Sequence, residues 1–241
     1  MTHWITPDWP VAEHIHAAST LRTGGVSLAE FSSLNPAEHV NDRPEHVLEN
    51  RQYIRNMLVL PAEPAWLKQT HSTQVVCAEQ VVASTEADAS YTTKKNVVCT
   101  VLTADCLPVL LCDQQGTTIA AIHGGWRGLL NGIIENALVK MPNTEILAWL
   151  GPAIGAQCFQ VGDDVRNAFI TKSGQFSSAF KQQEKGKYLA DIYQIARILL
   201  NNAGVTQIYG GDFCTVTDRE RFFSYRRDGQ TGRMATLIWK E

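Results

Sequence analysis

Apolar residues along this chain recur in two rhythms. Runs such as NVVCTVLTADCLPVLLC (96–112) and TTIAAIH (117–123) are β-branched and apolar enough to be buried strands. EILAWLGPAIG reads as another strand entering a turn, and TQIYGGD and RMATLIWK read as closing strands. Other segments repeat every three or four residues. RPEHVLENRQYIRNML carries Val47, Ile54, Met57 and Leu58 at helical spacing. GWRGLLNGIIENALVKM gathers Leu129, Leu130, Ile133, Ile134, Ala137, Leu138 and Met141 on one face and predicts one amphipathic helix. GDDVRNAFI and LADIYQIARILLNNAG predict two more, with Gly204 as the stop of the second. AWLKQTHSTQVVCAE alternates into a β run with His71 near its middle, and STLRTGGVSLAEFSSLN reads as a loop around a short strand. Together these predict an α+β (mixed α/β) fold, a mixed β-sheet core with hairpins flanked by helices.

One hairpin brings chemistry with it. If Asp113–Gly116 is the turn, Cys112 faces Thr117 and Cys106 faces His123. Directly paired residues have Cα atoms about 4.5–5.5 Å apart and share a sheet face. A one-residue slip would send the two side chains to opposite faces, and Gln-Gln is not a favoured turn pair. The plain alternative is that Cys106 fills core and His123 caps a strand. Against it, Cys106 sits at a break between two strands and His123 precedes Gly124-Gly125, where backbone can approach a ligand. His71, more often just a solvated histidine, would complete a Cys-His-His set. Three protein ligands leave a zinc ion an open position for an acidified water.

The 241 residues admit one large domain or two fused halves, and without a repeat or linker they are taken as a single domain, 1–241. A formal charge of −3 gives no case for nucleic acid or an anionic membrane as partner. No apolar run reaches the roughly 18–20 residues of a membrane span. The segment MTHWITPDWPVAEH lacks a basic, then apolar, leader pattern, so a cytoplasmic location is expected. The six scattered cysteines then read as free, mostly buried thiols. Nothing in the pattern specifies an oligomeric state.

The motifs LRTGGVS, LKQTHSTQVV, ADASYT, TADCLPVLL, HGGWRG, LGPAIG and FFSYRRDGQTGRMA occur in this order along the chain. In them the sequence resembles the bacterial YfiH family, whose members have been called laccase-domain or multicopper polyphenol oxidases, purine nucleoside phosphorylases and peptidoglycan editing factor. The resemblance implies a CNF1/YfiH-like fold and a zinc site at His71, Cys106 and His123. Ser72 and Gly124 depart from the family's usual glycine and alanine, both small-for-small changes. It also implies phosphorolysis of adenosine, inosine and related nucleosides, and adenosine deamination.

Against that activity, Gly124 and Gly125 at a helix start offer N–H groups to phosphate and Arg127 a guanidinium fork, with Arg22 and Arg226-Arg227 as weaker candidates. Arg127 could equally be a solvated first-turn arginine. Catalysis falls to Cys106, His123 and Asp105; no His-x-Glu is present, so Asp105 or Asp88 would have to carry protons or orient a ligand. Trp126 could stack on a purine, though core packing is its commoner use. A four-copper laccase needs more histidines than the seven here, and the only His-x-His is His14-Ile15-His16. A single copper would suit the same three ligands, so a single-copper polyphenol oxidase stays open. Without metal, Cys106 and His123 would form the nucleophile–base pair of a hydrolase or amidase acting on peptidoglycan precursors. A fourth ligand, His39 or Asp105, would instead close the site and make it non-catalytic.

Overall fold

The computed structural model describes residues 3–142 and 145–241; the first two residues of the segment read for a leader lie outside it. Its largest sheet has six strands, in spatial order Gln207–Gly210, Ile146–Leu150, Leu107–Asp113, Ile119–Gly124, Ala89–Thr92 and Val75–Cys77. The outermost pair on each side is parallel and the inner pairs are antiparallel. A second, antiparallel sheet runs Trp4–Ile5, Ile15–Thr20, Met234–Lys240, Val98–Thr103. A small third sheet joins Phe180–Gln182, Lys187–Ala190 and Gln160–Gly162. This is the mixed α+β architecture that the two rhythms predict.

Side chains on a strand alternate between faces, and the central hairpin feeds a core on each side. Leu107, Val109, Leu111, Ala120 and Ile122 pack with Leu129, Ile133, Ile134 and Leu199 of the helices. Leu110, Cys112, Ile119 and Ala121 pack the other way, against Cys99, Val101 and Ile238 of the second sheet. Covering both faces is why these strands are apolar without interruption. The Ile192–Asn202 helix is held at its start by Asp191, which accepts the Gln194 N–H at 2.9 Å, and is followed by left-handed Gly204.

Val98–Thr103 lies in one sheet and Leu107–Asp113 in the other, so the chain changes sheets within Ala104-Asp105-Cys106. Asp105 makes the bend at φ +87°, a left-handed conformation costing a residue with a Cβ about 1–2 kcal/mol. Its own groups offset this. The carboxylate accepts from the Arg226 N–H at 2.6 Å and the Thr215 hydroxyl at 2.5 Å, and the carbonyl accepts from the Ile154 N–H at 2.9 Å.

Three local expectations are corrected. The hairpin register is displaced by two residues: Cys112 faces Ile119, and His123 faces Pro108 rather than Cys106. The cause is Asp113, whose carboxylate accepts the N–H groups of Thr117 and Thr118 at 2.8 Å each and so wraps a longer turn. A slip of two preserves the face, so Cys106 and His123 still point to the same side. The predicted helix after Gly125 is two helices, Trp126–Asn131 and Ile133–Leu138, divided at left-handed Gly132 (φ +102°). Both bury the same apolar face, so the periodicity ran through the break. The β run around His71 shrinks to Val75–Cys77, and His71 itself sits in a bend at φ +60°. Of the six free cysteines only Cys99 and Cys112 are fully buried. Among the described residues no helix is long and apolar enough to cross a membrane.

Candidate metal centre

Asp88 organises the site from behind. It is fully buried just before the Ala89–Thr92 strand. Its carboxylate accepts N–H groups from Thr70 (3.1 Å), His71 (3.0 Å) and Ser72 (2.7 Å), and the Ser72 hydroxyl at 2.7 Å. One carboxylate thus fixes the bend that carries His71. The same group accepts from His123 Nδ1 at 2.7 Å, while the His123 N–H donates to the Asp88 carbonyl at 2.7 Å. Burial alone would raise the Asp88 carboxyl, but the hydrogen bond and charge of His123 and the hydrogen bonds from Ser72 outweigh it and hold the group at about 2.

With Nδ1 spoken for, His123 turns Nε2 toward Cys106 and His71. The three ligand atoms lie within 4.8 Å of one another, with Cys106 Sγ 3.7 Å from His71 Nε2. The two imidazoles meet edge to face, with ring centroids 4.8 Å apart. Ligands on one tetrahedral zinc stand roughly 3.3–3.6 Å apart, so these donors need only small shifts to share an ion. A thiolate and two imidazoles backed by a carboxylate are a donor set suited to zinc, and also to copper. Burial pushes the Cys106 thiol up, but the His123 charge and hydrogen bonds from both imidazoles bring it down to about 6. Burial likewise disfavours charge on His123, yet Cys106 and Asp88 lift it to about 9. The pair therefore favours thiolate facing imidazolium, the charge a cation would take over.

Gly125 explains the approach of these groups. A Cβ there would lie 2.7 Å from the His71 ring and 3.4 Å from Cys106 Sγ. A Cβ on Gly124 would meet the Leu107 carbonyl at 2.8 Å. Neither glycine is placed for a long helix dipole, because the following helix has only six residues.

The centre opens into a cavity of about 490 Å³. Trp126, Phe159 and Tyr225 supply aromatic wall, and Arg226 and Arg233 supply charge. Gln69 also lines it, but its amide is spent on both backbone groups of Leu102, at 2.7 and 2.8 Å. Asp105 reaches the wall with both oxygens already accepting. His39 lies on the wall too, yet neither it nor Asp105 joins the three-ligand group. Arg127 and Arg22 are not among the lining residues. The Arg127 guanidinium lies 4.3 Å over the Trp126 ring, and Arg22 bonds the Ser32 and Arg219 carbonyls beside a different cleft. Arg227 is turned inward onto the carbonyls of Thr215, Val216 and Phe222, leaving Arg226 the one that reaches the cavity. His14 and His16 stand elsewhere, against Gly116 and Trp239.

Sequence reasoning passed over Arg233, Tyr225 and Phe159. Tyr225 and Arg233 lie in FFSYRRDGQTGRMA, whose one tyrosine and three arginines flanking Gly229 and Gly232 were the available signal.

A family model described as "Multi-copper polyphenol oxidoreductase laccase" matches residues 16–241. A Shigella flexneri protein and an Escherichia coli protein, both called "Purine nucleoside phosphorylase YfiH", are each 50% identical to this chain, covering 99% of both partners. Among solved structures, a Neisseria meningitidis protein matches with TM-score 0.97 and 47% identity over 100% of both chains. A Bacillus licheniformis protein titled hypothetical protein YfiH matches with TM-score 0.89 and 30% identity, over 94% of this chain and 93% of that one.

Proposed function

Because the chain belongs to the multi-copper polyphenol oxidoreductase laccase family, we propose that it is a purine nucleoside phosphorylase holding one zinc ion, which also deaminates adenosine. One observation carries the reading: His71, Cys106 and His123 converge at the base of a cavity of about 490 Å³ with aromatic and cationic walls. The names of its full-length relatives support the same class. The three residues would hold the metal, which when bound supplies a Lewis acid and an acidified water.

The chain's own groups do the rest. Asp88 keeps the His123 proton on Nδ1, so Nε2 stays directed at the centre. Trp126, Phe159 and Tyr225 offer ring faces to the purine of adenosine, inosine and related nucleosides. In phosphorolysis a phosphate oxygen bonds to the anomeric carbon while the C–N bond breaks, and the base leaves with a proton. Asp105 enters as a positioning residue for Cys106, since both its oxygens are engaged. A reducing cytoplasm suits a thiolate ligand and free cysteines.

The test is to incubate purified, metal-assayed protein with inosine and phosphate and measure hypoxanthine and ribose 1-phosphate, then adenosine without phosphate and measure ammonia. Phosphate-dependent product from zinc-replete protein supports the reading, and its absence ends it. The Cys106–His123–Asp88 chain of hydrogen bonds, with the thiol at about 6, favours a second reading as a metal-free cysteine hydrolase on cell-wall precursors. A chelator separates the two: it silences the phosphorylase and unmasks the hydrolase.

A further inference from the structure

Phosphate needs a cation inside the cavity, and the strand register identifies one. Met234 pairs with Thr103, so Arg233 enters its strand beside Ala104, two residues from Cys106. Its backbone is fixed by Asn35, whose amide oxygen accepts the Arg233 N–H at 3.0 Å and the Ala37 N–H at 3.1 Å. Its side chain is fixed at one nitrogen only: Nη1 donates to the carbonyls of Thr231 (2.8 Å) and Gly232 (3.0 Å). Among the described residues Nε and Nη2 have no hydrogen-bond partner. That edge is the one that makes paired bonds to phosphate oxygens. The guanidinium lies 6.0 Å from the Tyr225 ring centroid, on the wall offered to the base. Arg226 stands differently: its Nη1 is used on the Cys158 and Gln160 carbonyls, and its N–H holds Asp105.

We propose that Arg233 is the anion-binding residue of the cavity, presenting its Nε–Nη2 edge to inorganic phosphate beside Cys106, with Arg226 as a second cation. This rests on the phosphorylase reading for its substrate, though not for its anion.

The experiment compares wild type with Arg233→Gln and Arg233→Lys. The KM for phosphate is measured at saturating inosine, and the KM for inosine at saturating phosphate. Separately, line broadening of inorganic phosphate by the protein is followed by phosphorus NMR. Arg233→Gln is expected to raise the phosphate KM about 10- to 100-fold and leave the inosine KM within about twofold. Arg233→Lys, which keeps the charge and loses the fork, falls between them and guards against a glutamine variant that fails to fold. Broadening in wild type disappears in Arg233→Gln. An unchanged phosphate KM, or equal rises in both KM values, overturns the proposal. If wild type shows no phosphate-dependent turnover, the phosphorylase reading falls. The broadening then decides the anion site alone: its presence and loss uphold the site, and its absence from wild type or persistence in Arg233→Gln refutes it.

Discussion

The hairpin Leu107–Gly124 is finished differently at its two ends. At the turn, Asp113 meets backbone it has itself folded round, accepting from the N–H groups of Thr117 and Thr118 and from the Thr117 hydroxyl. At the open end, Asp88 also gathers backbone N–H groups, but on behalf of two histidines. Beside it lie two residues in left-handed backbone, Asp105 and His71, and a glycine whose added Cβ would press on the His71 ring. Both ends use a buried aspartate as acceptor. One closes polar groups on themselves; the other holds three donors together and leaves them facing a cavity. An aspartate that satisfies its own loop stabilises, and one that satisfies the supports of other side chains prepares a site.

The sharpest way to break this contrast is Cys106→Ala. Turnover should fall about a thousandfold or more, and metal content by elemental analysis should fall with it, while the circular dichroism spectrum is kept. A fully active, metal-free variant would sink the reading. Next is Gly125→Ala. Its backbone, at φ −65° and ψ 152°, accepts alanine, so the damage should come only from the Cβ pressing on His71. We expect about a hundredfold loss of activity with the melting temperature nearly unchanged.

Asp88→Asn should weaken metal binding roughly 10- to 100-fold in a competition titration. It should also change acid stability. The folded Asp88 carboxyl, at about 2, lies below its usual 3.8, so its contribution is complete above about pH 4 and is lost as pH falls through about 2. That contribution is roughly 2 kcal/mol, and urea melts of metal-free protein across this window should show it in wild type and not in the variant. The smallest effect on activity belongs to the turn. Asp113→Ala should cost about 1–3 kcal/mol in the same melts and leave kcat/KM within about twofold. A large activity loss there would erase the contrast between the ends.

Sequence alone carried the architecture far because burial wrote it plainly. The strands at 98–103, 107–113 and 119–124 are apolar on both faces, and the helices repeat at their own period. The meeting of Cys106 and His123 was also within reach, since the parity of the hairpin survived a two-residue error in register. What escaped depends on side-chain hydrogen bonds made at a distance. The turn length rests on Asp113, the His71 bend on Asp88, and the Asn131-Gly132 break on a backbone conformation that apolar spacing hides. Arg233 escaped because its place beside Cys106 comes from strand pairing more than a hundred positions apart in the chain.

The short Ala104–Cys106 passage between sheets has a mechanical consequence. His123 hangs from the six-stranded sheet, Arg233 from the four-stranded one, and Cys106 lies on the link between them. A ligand that touches His123 and Arg233 at once would lace the two sheets together. Amide hydrogens of Val98–Thr103 and Met234–Lys240 should then exchange more slowly when the cavity is filled, although no ligand touches most of them. Occupancy would be recorded as slower opening of both sheets, a tie added to the core that they already share.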